Sequence, residues 1–337
     1  MTDPTRSEQH EHKARIWAVG GGKGGVGKSV VTTSMAIALA RRGERCILVD
    51  ADLGGANLHT FVGMNNPERT LTDLFRKDVA GLKDILLSTR FPNLWLISGA
   101  RALLDMANPA YQQKMKVIRQ IFSLHADHIF IDLGAGSSYN VLDFFLAAHE
   151  GVMVVVPTPA PVSSPPDCRV VVPTPTSVEN AYHFLKAVYY RRLKKVVRKL
   201  GAEKLVDNLL VEKVQRGIRS PRDLVRDIQS NSREIGLALA EQMAELRPRL
   251  IINQVKRGED LTLGTKISAA CRDFFAIDVD MAGNIRTDER VLASLKARRP
   301  TLDMFPSSPF ADDLERVVRT ICPVTELTNG RDAYAEL

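Results

Sequence analysis

Apolar residues come in short runs along this chain, and most runs are followed by a Gly- or Asp-rich turn and then a stretch with apolar positions three or four apart. Ile16 to Val19 reads as a first strand. A glycine loop follows, then a helix over Val30 to Arg42 that Gly43 stops. Arg45 to Asp50 reads as a buried strand ending on a carboxylate. Leu94 to Ser98, His128 to Asp132, Gly151 to Val156 and Leu250 to Asn253 are further strands, with helices near 111–124, 138–149, 177–199 and 263–275. Strand and helix in alternation are the mark of βαβ units, so the fold class expected is α/β: a doubly wound, mostly parallel sheet flanked by helices.

Two segments break the rhythm. The hexapeptide Val-Val-Val-Pro-Thr-Pro occurs at 154–159 and again at 170–175. Prolines between the copies cannot donate to a sheet ladder, so only one copy is expected as a strand and 160–175 reads as a Pro-rich insertion. The charge-rich stretch at about 200–248 has helical period and exceeds what a crossover needs, so a helical insertion is expected there. These readings give a flexible N-terminal segment at 1–15, one domain over 16–322 and a flexible tail at 323–337.

Bulk properties narrow the picture only a little. The 337 residues are 45% hydrophobic and 25% charged, the composition of an ordinary globular protein. Cys46, Cys168, Cys271 and Cys322 are too scattered for a C-x-x-C pair or zinc spacing. Residues 1–15 lack the apolar core of a signal peptide, and no apolar run reaches membrane-spanning length, so a cytoplasmic setting is expected. The net charge of +7 favours acidic partner surfaces modestly.

The chemistry concentrates at residues 22 to 29. Gly22, Gly27, Lys28 and Ser29 satisfy G-x-x-x-x-G-K-[ST] between a strand and a helix. In such a loop glycines let backbone N–H groups wrap phosphates, the lysine meets the β and γ oxygens, and the serine ligates Mg²⁺. The helix at Val30 adds its positive end. Asp50 and Asp52 close the second strand and Asp132 closes the His128 strand, where carboxylates can organise a metal or its water shell. Asn253 ends a later strand with an amide that matches the adenine edge. The run Asn253-Gln254-Val255-Lys256 lacks the N-K-x-D arrangement of guanine readers.

One residue makes the pattern specific. Lys23 lies inside the loop, and Lys23-Gly24-Gly25-Val26-Gly27-Lys28-Ser29 resembles the deviant Walker A motif of the MinD/ParA family of P-loop ATPases. The resemblance looks closest to the MinD-like branch near the flagellar-number regulators. It implies that Lys23 reaches a partner's phosphates across a nucleotide-sandwich homodimer that forms with ATP. It further implies catalytic roles for Lys23, Lys28 and Asp52, and nucleotide contacts from Gly22 through Val30 and from Asn253. Mg²⁺ would be held through Ser29, Asp50 and Asp132, and the stretch from Gly283 to Val291 is similar to the family's second base-flanking loop. Leu133-Gly134-Ala135-Gly136 resembles its second switch.

The function expected is therefore a slow, partner-stimulated ATP hydrolase, acting as a dimerisation switch in spatial positioning or number control of a division site, flagellum or other cargo. Its partners would be an activator or cargo adaptor, with peripheral contact to the inner membrane face or non-specific DNA left open. Two alternatives are an ATP-gated DNA-partition or transcription-partner protein and an iron–sulfur carrier on the same fold. For the first, Arg191 to Lys199 offers a basic face, although Leu193, Val196 and Val197 make that helix read first as a packed one. For the second, the cysteines offer no ligand spacing. Phe310, Leu314, Val317, Val318 and Ile321 fall at helical spacing and are expected to pack on the core.

Overall fold

The computed structural model describes residues 13–99, 111–157, 176–211, 217–218, 220–256 and 261–323. The expected insertion at 160–175 and all but the edges of both expected terminal segments lie outside them. The chain opens with β1 (Arg15–Gly20), α1 (Lys28–Arg41), β2 (Cys46–Asp50), α2 (Leu58–Phe61), α3 (Leu71–Arg76), β3 (Leu87–Ser88) and β4 (Leu94–Ile97). Next come α4 (Tyr111–Ile121), β5 (His128–Asp132), α5 (Tyr139–Ala147), β6 (Glu150–Val155) and α6 (Thr176–Lys199). Three helices follow, α7 (Glu203–Val211), α8 (Pro221–Asn231) and α9 (Arg233–Ala244). The chain then runs through β7 (Arg249–Val255), α10 (Leu263–Phe275), β8 (Asp280–Arg286), α11 (Glu289–Lys296), α12 (Thr301–Met304) and α13 (Pro309–Ile321).

The strands form one sheet in the order β3-β4-β2-β5-β1-β6-β7-β8, parallel except for the β3–β4 pair. This is the mostly parallel, helix-flanked α/β sheet that the alternating pattern predicts. β1 sits between β5 and β6, so successive crossovers leave it in opposite directions, and the crevice at its C-terminal end is where open α/β sheets bind ligands.

Both faces of the sheet are covered, which is why its strands read as nearly continuous apolar runs. Along β1, Ile16 and Ala18 enter the core under α5 and α6, while Trp17 and Val19 enter the core under α1 and α13. The alternation is the period-two pleat of a strand, here buried on both sides. In α13, Phe310, Leu314, Val317, Val318 and Ile321 are all buried, so the helix is a core element, as its spacing predicts. Truncating Leu314 to Ala should cost roughly 2–5 kcal/mol.

The stretch expected to be helical at 200–248 holds α7, α8 and α9. Ser220 caps α8 with Pro221 at the first helical position and Asp223 closing a capping box, so a short sequence fixes where that helix starts. Leu224, Ile228, Leu239 and Met243 join the core shared with α6. The basic run on α6 is largely tied to its surroundings. Arg191 makes two 3.0 Å bonds to Asp143, Lys195 approaches the same carboxylate at 3.2 Å, and Arg192 reaches Glu245 at 2.6 Å.

One stretch differs from its expectation. Gly283 to Val291 resembles a loop, yet residues up to Arg286 complete β8, and α11 starts at Glu289. Glycine and asparagine are poor strand formers. Gly283 has φ of 150° and its Cβ position would lie 2.8 Å from Val317, so pairing with β7 and close contact with α13 override local preference.

Candidate active site

The phosphate-loop sequence leaves β1 and turns into α1 two residues earlier than the apolar pattern suggests. Gly25 and Gly27 have φ of 78° and 91°, a left-handed conformation that other residues adopt at a cost. Gly27 is the N-cap and offers no side chain, so the first N–H groups of α1 are left for a ligand. Gly22 is packed against α6, where a Cβ would sit 2.0 Å from the Asn180 carbonyl oxygen.

The two lysines of the loop are placed differently. Lys28 is buried, with 8% of its surface exposed, and its Nζ donates to the Lys23 carbonyl at 3.2 Å. Burial lowers its pKa, against the pull of the Asp132 and Asp52 charges. Lys23 itself is exposed.

Three carboxylates converge behind the loop. Asp50 and Asp132 are register partners at the ends of β2 and β5, and both are buried. Burial, with the charge of Asp132 next, pushes Asp50 up to about 8. Its two oxygens accept from Leu58 N at 2.9 Å and Asp52 N at 3.2 Å, which fixes the turn after β2. Asp132 is raised to about 6, chiefly by burial, while hydrogen bonds from Ser29 and Thr32 and the charge of Lys28 oppose the rise. Asp52 is half-buried and accepts from Gly55 N at 3.1 Å. A Cβ on Gly134 would lie 2.9 Å from Asp52 Oδ1, so glycine there lets the turns after β2 and β5 touch.

Thr32 is missing from the sequence-based set. Its hydroxyl lies 2.8 Å from the Lys28 carbonyl and 3.2 Å from Asp132, and its single proton serves one acceptor at a time. The signal available was its position one helical turn after Lys28, on the same face of α1.

At the far side, β7 delivers Asn253, which is 5% exposed and donates through Nδ2 to the Val26 carbonyl at 2.8 Å. Gln254 follows, exposed, with Nε2 3.3 Å from the Gly25 carbonyl. The cavity between this edge and the loop measures about 610 Å³, within the range of small-molecule sites. Of the predicted residues, Gly24, Gly25, Gly27, Lys28, Ser29, Val30, Asp52 and Asn253 line it; Gly22, Lys23, Val26, Asp50 and Asp132 do not. Arg286, Thr287 and Asp288, inside the base-flanking stretch, and Val291 and Leu292 of α11 form its outer wall. Buried Asp313 of α13 holds Arg286, accepting from its Nε at 2.8 Å and Nη2 at 2.9 Å.

The donor set suits Mg²⁺ with a polyphosphate. Neither Asp50 nor Asp132 makes an ion pair among the described residues, and both have carboxyls raised by burial, so a hard dication beside them would relieve their desolvation. Ser29 lines the cavity and its side chain hydrogen-bonds Asp132.

Comparison with known proteins agrees with this geometry. Residues 12–172 match the ParA family model, described as a NUBPL iron-transfer P-loop NTPase. Antiactivator FleN of Pseudomonas aeruginosa is 34% identical over 154 residues, covering 45% of this chain and 54% of FleN. Septum site-determining protein MinD of Thermotoga maritima is 33% identical over 154 residues, 45% of this chain and 55% of that protein. The chain thus spans about half the length of the curated relatives it matches. The solved MinD of Pyrococcus horikoshii, complexed with Mg-ADP, superposes with a TM-score of 0.60 at 20% identity, covering 92% of this chain and 96% of that one.

Proposed function

We propose that the chain is a P-loop NTPase of the ParA/MinD type, as the family match over residues 12–172 and the similarity to FleN and MinD support, and that it acts as an ATP-dependent dimerisation switch with slow Mg²⁺-dependent ATP hydrolysis. The observation that carries this reading is the split between the two loop lysines. Lys28 is buried and lines the cavity, where it meets its own nucleotide, whereas Lys23 is exposed and does not line it. A cation fixed on a phosphate loop yet outside its own pocket suits the phosphates of a second copy.

The division of labour follows from placement. Backbone N–H groups from Gly24 to Ser29 bind phosphate, Lys28 neutralises the β and γ oxygens, and Ser29 with Asp132 and the Asp50 shell would hold the metal. Mg²⁺ supplies charge neutralisation as the γ-phosphoryl is transferred to water. Asp52, at the cavity wall and held by Gly55 N, orients the attacking water. Asn253 and the β8–α11 wall flank the base.

Similarity to FleN and MinD supports a role in flagellar-number or division-site positioning, read out by an activator or adaptor that distinguishes dimer from monomer. The alternatives draw less support. On α6, Arg191, Arg192 and Lys195 contact acidic partners within the chain, and Cys46, Cys271 and Cys322 are buried rather than presented as iron–sulfur ligands.

The test is the mass in solution of D52A, a variant expected to retain ATP, with Mg²⁺-ATP and with Mg²⁺-ADP. Dimer with ATP and monomer with ADP is the expected result. A mass that ignores the nucleotide removes Lys23 from any action across an interface and leaves a plain P-loop enzyme.

A further inference from the structure

We infer that Asn253 and Gln254 together form a latch that sets the shape of the phosphate loop, so that the end of β7 positions the phosphate-binding amides as well as flanking the base. The inference rests on the nucleotide reading above. A loop that turns its N–H groups toward phosphate must turn carbonyls away from it, and each carbonyl then needs a partner. Val26 is buried, and its carbonyl is met by Asn253 Nδ2 at 2.8 Å. The preceding carbonyl, Gly25, is met by Gln254 Nε2 at 3.3 Å. Two consecutive carbonyls of the loop are therefore held by two consecutive side chains of one strand end.

Backbone geometry makes this pairing specific. In a regular strand neighbouring side chains point to opposite faces, so Asn253 and Gln254 could not both reach the loop. Gln254 has φ of 58°, the left-handed region that a glutamine enters only at a cost, and the register between β7 and β8 shifts between Ile252 and Val255. That departure brings both amides to the same side. The fit is close as well: a Cβ on Gly27 would lie 2.3 Å from Asn253 Nδ2, so the loop glycine and the latch amide occupy adjoining space.

Both are positioning residues for phosphate. The test uses the full chain, titrated with Mg²⁺-ATP and with Mg²⁺-tripolyphosphate, which has phosphates but no base. Asn253→Leu keeps the approximate size, removes the donor and adds no charge beside the phosphates; Gln254→Ala alters an exposed side chain and leaves the core intact. Loss of the latch should weaken both ligands alike, by about tenfold in N253L and roughly threefold in Q254A, the scale of single hydrogen bonds. Hydrogen exchange in the nucleotide-free chain should quicken at residues 24–28 and stay unchanged in α13. If N253L weakens ATP alone, while tripolyphosphate binding and loop exchange match the unmodified chain in both variants, Asn253 serves only the base and the latch is wrong. Should the unmodified chain bind neither ligand, the nucleotide reading itself falls and takes the latch with it.

Discussion

At the N-terminal ends of the parallel strands the arginines are paired with carboxylates, whereas at the C-terminal ends of β2 and β5 the carboxylates Asp50 and Asp132 make no ion pair among the described residues. Arg15 of β1 and Arg249 of β7 share the carboxylate of Glu150 on β6, the second at 2.9 Å, and Arg45 meets Asp127 at 3.0 Å. At the other end Asp50 and Asp132 are buried side by side with raised pKa values, next to glycines in left-handed conformations. Each end uses the same sheet as its scaffold. The comparison teaches that the first edge stabilises the fold, whereas the second keeps two carboxyls raised by burial, whose desolvation a bound cation would relieve.

The largest effect expected on this contrast comes from Lys28→Ala. Removing a charge that meets the transferring phosphate should lower ATP hydrolysis by about 10²–10³-fold, as when one preorganised stabiliser is deleted elsewhere. Because burial already disfavours the charged lysine, the melting temperature without nucleotide should hold or rise. Hydrolysis at the unmodified rate would sink the assignment of this edge.

Glu150→Ala should do the reverse. Two partly buried guanidiniums lose their carboxylate, and about 2 kcal/mol of stability goes with it, below the range for fully buried pairs because Arg15 is 39% exposed. Nucleotide affinity should be untouched. A large change in affinity with little change in stability would mean that the two edges are coupled rather than separate.

Gly134→Ala sharpens the functional edge from within. The added methyl would sit 2.9 Å from Asp52 Oδ1, so the carboxylate must move while the phosphate loop stays in place. Hydrolysis should fall roughly tenfold, the consequence of a misplaced positioning group, with Mg²⁺-ADP affinity retained. Equal losses in both would show that the turn after β5 contributes to binding and not to water placement.

How legible each edge was depends on how local its determinants are. The loop from Gly22 to Ser29 carries its chemistry in adjacent residues between an obvious strand and helix, so Lys23, Lys28 and the strand-end carboxylates could be named from the sequence. Thr32 and Gln254 could not, since one acts through helical spacing toward β5 and the other through an unusual backbone turn. β8 was hidden for a related reason: its Gly283 and Asn284 are poor strand formers, and β7 and α13 hold them in place. The paired edge was invisible as a network, because Arg15, Glu150 and Arg249 meet only once β1, β6 and β7 lie side by side.

The smallest expected effect tests the paired edge by pH. The indole Nε1 of Trp17 can only donate, and it lies 3.1 Å from His128 Nδ1, so Nδ1 must be the acceptor and the imidazole neutral. Its Nε2–H then donates to Glu44 at 2.5 Å. Burial is the main cause that lowers the pKa of His128; Glu44 and Asp127 pull the other way and Arg15 adds to the lowering. A histidine lowered on folding stabilises the native state above its unfolded value near 6.5, and that contribution fades as pH falls toward the folded value. From pH 7.5 to 5.5 the melting temperature should drop by about 2–4 °C more in the parent chain than in His128→Gln, which keeps an acceptor for Trp17 but cannot titrate. With Trp95→Phe in both chains, the fluorescence of Trp17 should shift over the same pH range in the parent alone. If the two chains lose stability in parallel, protonation of His128 is not what loosens this edge.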